Sequence, residues 1–155
     1  AESASGWGFS PDSIGIMGSS AGGHLASVMA SSPHSGSRPA FQLLFYPVIT
    51  LDKAYTHSGT RHNFLPESAD DAMAARFSSE NNVTASTPPA FIVHCGDDTV
   101  VPVENALFYY NALHANGVAS TLLIYPHGGH GWGFRSSFGR HDEVLDEIRA
   151  WLGGL

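Results

Sequence analysis

Three things are scarce in this chain. It holds a single cysteine, Cys95, so no intrachain disulfide is open to it. Basic residues are few: Lys plus Arg number 7 against 14 Asp plus Glu, a formal charge of −7. That balance argues against nucleic acid and against anionic membrane surfaces as partners and suits a neutral substrate. No apolar run approaches the roughly 18 residues that a membrane span requires. The opening AESASGWGFS has neither an initiator methionine nor a basic-then-apolar leader. A removed leader and a start further upstream are the two readings of it.

What is present is a globular composition. The 155 residues are 43% hydrophobic, sufficient for one domain with a sizeable core. Four continuous apolar runs read as strands: Ile14–Met17, Phe41–Tyr46, Ala90–His94 and Thr121–Tyr125. Continuous rather than alternating runs suit strands buried on both faces of a parallel sheet. Cys95, at the end of AFIVHC, then reads as a buried structural thiol. Helical patterns follow at Ser20 to about Ala30, from Val103 to an Asn116-Gly117 stop, and over a final stripe of Val144, Leu145, Ile148, Trp151 and Leu152. Strands alternating with helices predict an α/β fold with a mostly parallel sheet. Residues 50–88 interrupt the rhythm as a polar insertion, with a helix expected over about Ser68–Phe77.

Three short motifs stand directly after predicted strands. GSSAG fits G-x-S-x-G at Gly18, Ser20 and Gly22, with a strand before and a helix after. In that setting small residues allow a strained turn that lifts a serine hydroxyl above the sheet edge. HCGDD brings Asp97 and Asp98 to the C-terminal edge of the third strand, where functional groups of α/β sheets collect. YPHGGHGWGF offers His127 and His130 after the fourth. The two histidines lack a third ligand at ordinary spacing and any helical HExxH arrangement, so no metal or other cofactor is expected.

Serine, acid and histidine in this order, each after a strand, form the chain order of the α/β-hydrolase triad. The chemistry needs all three. An unassisted serine is a weak nucleophile, the imidazole takes its proton, and the carboxylate fixes the imidazole tautomer.

The blocks FSPDSIGIMGSSAGGHLAS, TPPAFIVHCGDDTVVPVENALFYYNAL and GGHGWG resemble α/β-hydrolase carboxylesterases of the acetyl xylan esterase type, including bifunctional acetyl xylan/feruloyl esterases of bacteria. The likeness runs over nearly the whole chain, and SGTRHNFLP and SSENNVTASTPPAF share it. It implies Ser20 as nucleophile, the Ala21 N–H as an oxyanion donor, Asp98 as acid through Asp98-Thr-Val-Val101-Pro102, and His130 as base. Asp97 is then left to shape its loop. Ser19, His127, Trp132, Arg61 and Asn63 become candidates for the substrate pocket. His24 reads as a packed first-turn histidine, Phe134 as an apolar wall or core residue, and Asn82-Val83-Thr84 as a glycosylation sequon.

The same resemblance makes the elbow early. In such enzymes strands and a His-Gly-Gly type oxyanion motif precede it, whereas here only AESASGWGFSPDS stands before its strand. Residues 1–155 thus read as a single, partial α/β-hydrolase domain lacking the N-terminal strands, with Ile14–Met17 as an apolar edge completed by self-association or by a preceding segment. The expected activity is hydrolysis of short acyl esters, acetyl or feruloyl, on plant polysaccharide. Its compartment would be secreted or periplasmic for such a substrate and cytoplasmic otherwise. Two rivals share the triad order: a serine peptidase of the prolyl oligopeptidase type, and a catalytically incomplete interaction module.

Overall fold

A computed structural model describes residues 5–8, 10, 13–32 and 38–155. Among the described residues, four strands form one parallel sheet in the order β1-β2-β3-β4. They are β1 (Ile16–Ser19), β2 (Gln42–Phe45), β3 (Ala90–Cys95) and β4 (Ser120–Tyr125). β2 and β3 are buried at every position, as their unbroken apolar runs require, while β1 and β4 are half-exposed at the two edges. The register aligns Ser19 with Phe45, Phe45 with Val93, and Cys95 with Tyr125. All four strands therefore end along one edge of the sheet, and the loops that leave them share that edge.

Among the described residues there are five α-helices: α1 (Ala21–Ser31), α2 (Ser58–Phe64), α3 (Asp71–Phe77), α4 (Glu104–Ala115) and α5 (His141–Gly153). The pleat sends alternate side chains to opposite faces. Leu44 and Ile92 join Ala26 of α1 and Tyr109 and Leu113 of α4 on one face. Leu43, Phe91, Val93 and Cys95 meet Val144 and Ile148 of α5 on the other. Each fully buried aliphatic or aromatic side chain contributes about 1.5–3 kcal/mol, so these two layers dominate the stability.

The polar stretch 50–88 is not one loop. It holds α2, α3 and a 3-10 turn at Ser79–Asn82, over a third cluster of Val48, Leu51, Leu65, Ala74 and Val101. Asn105 of α4 ties it down. Its Oδ1 accepts from the Ile49 and Thr50 amides, and its Nδ2 donates to the carbonyls of Tyr55 and Pro102. Buried groups bonded this fully cost little and hold an otherwise polar segment in register.

Candidate active site

Ser20 follows the last residue of β1 and precedes the first of α1, with φ 54° and ψ −125°. The turn is made possible by close backbone approach. A Cβ on Gly18 would lie 2.2 Å from the Gly22 carbonyl oxygen, and one on Gly23 would lie 2.6 Å from Cβ of Pro47. The Ser20 amide donates to the Phe45 carbonyl at 3.0 Å, and the Ser20 carbonyl accepts from the amides of Gly23, His24 and Val48. Its side chain makes no cap hydrogen bond, so the hydroxyl is free for another partner.

That partner is His130. Ser20 Oγ and His130 Nε2 stand 2.9 Å apart, and His130 Nδ1 lies 2.7 Å from Asp98 Oδ2. With the proton on Nδ1 donated to the carboxylate, Nε2 is left as the acceptor for the serine hydroxyl. Asp98 is buried in a loop that keeps its carboxylate bonded: the amides of Val100 and Val101 both donate to Oδ1 at 2.9 Å. His94, fully buried, donates from Nε2 to the Val101 carbonyl at 3.0 Å and lies 3.4 Å from Asp98 Oδ2. Burial pushes the His94 pKa down, which keeps this imidazole neutral behind the carboxylate.

The loop bearing His130 is held by the neighbouring acid. Asp97 accepts from the Gly129 amide at 2.8 Å and the Gly128 amide at 3.3 Å. These two bonds, the Gly129 one foremost, hold its carboxyl below the ordinary carboxylate range. His127 Nδ1 lies 3.5 Å from Asp97 Oδ2, and the His127 side chain is largely exposed. The tandem acids thus divide the work: Asp98 meets the imidazole and Asp97 meets the backbone that carries it.

The remaining sequence-predicted residues scatter. Ala21 opens α1, where helix amides lack an intrahelical acceptor. Ser19 ends β1 with its side chain exposed, next to the turn. Trp132 is buried in the α5-side core, stacked on Phe138 at 4.1 Å, rather than open to a ligand. Phe134 is about half exposed and packs on Phe45. On α2, Arg61 donates to the Leu51 carbonyl and faces Asp71, and it borders a cavity of about 400 Å³ whose lining includes neither Ser20, Asp98 nor His130. Asn63 is exposed on the same helix. His24 packs against Phe64 and bonds the Phe77 carbonyl at 2.9 Å. Cys95 is a buried free thiol whose pKa burial pushes up to about 11.

One residue at the site escaped the sequence reading. Tyr46 is buried directly after β2, and its ring centroid lies 4.6 Å from that of His130. Its φ is 36°. Nothing in FYPV announces a left-handed tyrosine.

A serine on a strained turn after one parallel strand, with an acid and an imidazole delivered to it by two later strands, defines the α/β-hydrolase class of fold. The chain belongs to the prolyl oligopeptidase family, which matches it over residues 3–154. It is 41% identical over 158 residues to an acetylxylan esterase of Xylanibacter ruminicola, covering 99% of this chain and 33% of that protein. It is 35% identical over 127 residues to endo-1,4-beta-xylanase B of Butyrivibrio fibrisolvens, covering 75% of this chain and 20% of the xylanase. Among solved structures, an acetyl ester-xyloside bifunctional hydrolase from Caldicellulosiruptor lactoaceticus superposes with a TM-score of 0.91 at 34% identity, over 99% of this chain and 60% of that one. The chain spans about a third of the acetylxylan esterase's length.

Proposed function

We propose that this chain carries the reacting residues of a serine ester hydrolase that acts on short acyl esters of plant polysaccharide, acetyl groups first and feruloyl groups second. The observation that carries the reading is the unbroken relay from Ser20 through His130 to Asp98, at 2.9 and 2.7 Å, assembled from residues 110 positions apart. The acetyl part of that substrate class is supported by the likeness to an acetylxylan esterase and to an acetyl ester-xyloside bifunctional hydrolase.

In this reading the Ser20 hydroxyl oxygen attacks the ester carbonyl as His130 Nε2 takes its proton. Asp98 holds the resulting imidazolium through Nδ1–H, and the Ala21 amide faces the tetrahedral oxyanion. Collapse expels the sugar alkoxide, which receives the proton from Nε2 and leaves as the alcohol. Water then repeats the sequence on the acyl-serine: His130 removes a proton from water, the hydroxide adds to the carbonyl, and the acid departs with Ser20 reprotonated.

Ser20→Ala tests this. Hydrolysis of p-nitrophenyl acetate should fall by about 10⁴-fold or more while the thermal midpoint stays put; undiminished turnover would overturn the reading. Family membership keeps a second reading in play, a peptidase of the prolyl oligopeptidase type. Rates on an acetyl ester and on an aminoacyl-proline amide, measured on one preparation, separate the two, and methyl ferulate tests the feruloyl specificity.

A further inference from the structure

Among the described residues, two that are not glycine have a clearly positive φ: Ser20 at 54° and Tyr46 at 36°. A bulky side chain in that region is strained, and such strain persists only where the surroundings over-determine it. For Ser20 the strained turn is what exposes the hydroxyl. Tyr46 needs its own account.

The pleat supplies one. Leu44 points to the α1/α4 face and Phe45 to the α5 face. Regular alternation would return Tyr46 to the side of Leu44. Instead Tyr46 joins Phe45 in the α5-side cluster, and both rings meet Trp132, at 4.9 and 5.9 Å. The positive φ therefore turns the tyrosine back onto the side where the His130 loop lies. Its ring sits against the imidazole at 4.6 Å, tilted by 60°. A Cβ on Gly133 of the same loop would stand 3.4 Å from the tyrosine hydroxyl oxygen. Burial pushes the Tyr46 pKa up, against the pull of the Gly133 backbone and the Ser19 hydroxyl, so the group stays a neutral phenol.

The backbone of the same segment grips the other partner. Phe45 accepts from the Ser20 amide, Val48 donates to the Ser20 carbonyl at 3.0 Å, and Pro47 packs against Gly23. The Tyr46 amide donates to Val93 of β3 at 2.7 Å, which anchors the segment to the sheet. Residues 45–48 thus form a strut with its main chain on the serine turn and one side chain under the imidazole.

We propose that Tyr46 is a positioning residue, which fixes the His130 imidazole relative to Ser20, and that its left-handed backbone exists to place it there. This rests on the reading of His130 as the base. Hydrogen bonds at its two nitrogens, to Asp98 and to Ser20, hold the imidazole along its edge, and the aromatic ring packed beside it limits its motion out of that plane. Tyr46→Phe keeps the ring, whereas Tyr46→Leu keeps much of the volume and loses it.

The test has two arms. In the unmodified protein, NMR should show nuclear Overhauser contacts between the Tyr46 and His130 rings and a far-downfield Nδ1–H proton bonded to Asp98; absence of the ring contacts would overturn the proposal. Tyr46→Leu should broaden that proton and lower kcat on p-nitrophenyl acetate by about 10- to 100-fold with KM within about threefold, the scale of a catalytic group misplaced by an ångström. Tyr46→Phe should retain the proton and at least about a third of kcat, since its ring is preserved. Parental kcat in the leucine variant, or equal loss in both variants, would overturn the assignment to the ring. Should the leucine variant not fold, the ring contacts and the phenylalanine variant still decide. Ser20→Ala bears on the esterase reading alone, because the NMR arm needs no turnover.

Discussion

At the Ser20 turn a Cβ on Gly18 would stand 2.2 Å from the Gly22 carbonyl oxygen, whereas one on Gly129 or Gly131, beside His130, would meet nothing within 4 Å. Both regions are rich in glycine, for different reasons. In the turn, glycine provides space: strand and helix backbones touch where side chains would stand. In the loop it mostly provides conformation, with φ of 153°, 59°, 79° and 48° at Gly128, Gly129, Gly131 and Gly133. Gly128 alone combines both needs, since its Cβ would meet Phe138 at 2.5 Å and Cys95 at 2.6 Å. The serine is accordingly held by its own backbone. The imidazole hangs from a chain with much freedom and is held by side chains from outside it: Asp98, Asp97 and Tyr46. Damage to the turn should therefore appear as lost stability, and damage to the loop's props as lost rate.

Gly18→Ala should show the largest effect. The new methyl group would press on the Gly22 carbonyl and the Gly23 amide, which are backbone and cannot rotate away. Overpacking of this kind costs about 3 kcal/mol, enough to move a urea midpoint well clear of error. Gly22→Ala is the control, because its Cβ meets nothing within 4 Å and it lies in helical backbone. Equal stability of the two variants would show that the turn is not limited by space.

That pair also shows how far the sequence could be read. G-x-S-x-G pointed to the turn, yet of its two glycines only Gly18 is required by contact, and Gly23, outside the motif, is required as well. The strands were legible as apolar runs, with ends displaced by at most two residues. β1 starts at Ile16 rather than Ile14 because pairing with β2 begins there and carries through Gly18 and Ser19. α2 was not legible: SGTRHNF has no apolar period, and the helix is set by the His57 cap on the Thr60 amide and by Phe64 packing on His24 and Phe77. α3 begins at Asp71 rather than near Ser68 because Asp70 caps it, accepting from the Met73 amide. Ser20, Asp98 and His130 could be picked out as a group because the chemistry restricts their types and each follows a strand, and the structure brings the three side chains within hydrogen-bond distance. Tyr46 was not, since its place depends on a dihedral angle that a tyrosine does not advertise.

Asp97→Ala should rank next, and its effect should fall on rate. The side chain is substantially exposed, so its loss leaves the core intact, but the Gly128 and Gly129 amides lose their acceptor. A drop in kcat of about tenfold is expected, short of the hundredfold that a full ångström of misplacement produces. The thermal midpoint should hardly move. Asp97→Asn, which retains one acceptor oxygen, should fall between. The clamp also has a pH sense. The folded carboxyl titrates below its unfolded value, so its contribution is complete above the ordinary carboxylate range and is lost as pH falls through the depressed value. Parental kcat in Asp97→Ala would show that the loop keeps His130 in place unaided.

The smallest effect should come from Gly129→Ala, and it bears most directly on the contrast between the regions. Its Cβ would project into open space, so only the φ of 59° resists the change. Forcing alanine into left-handed backbone costs about 1 kcal/mol, a shift of roughly 2–4 °C in a domain of this size. Asparagine tolerates that region better than alanine does. Gly129→Asn should therefore recover part of the loss although its side chain is larger, an order that a steric limit would reverse. If asparagine proves worse than alanine, the loop is governed by space as the turn is, and the division between a backbone-held serine and a side-chain-held imidazole fails at its most exposed point.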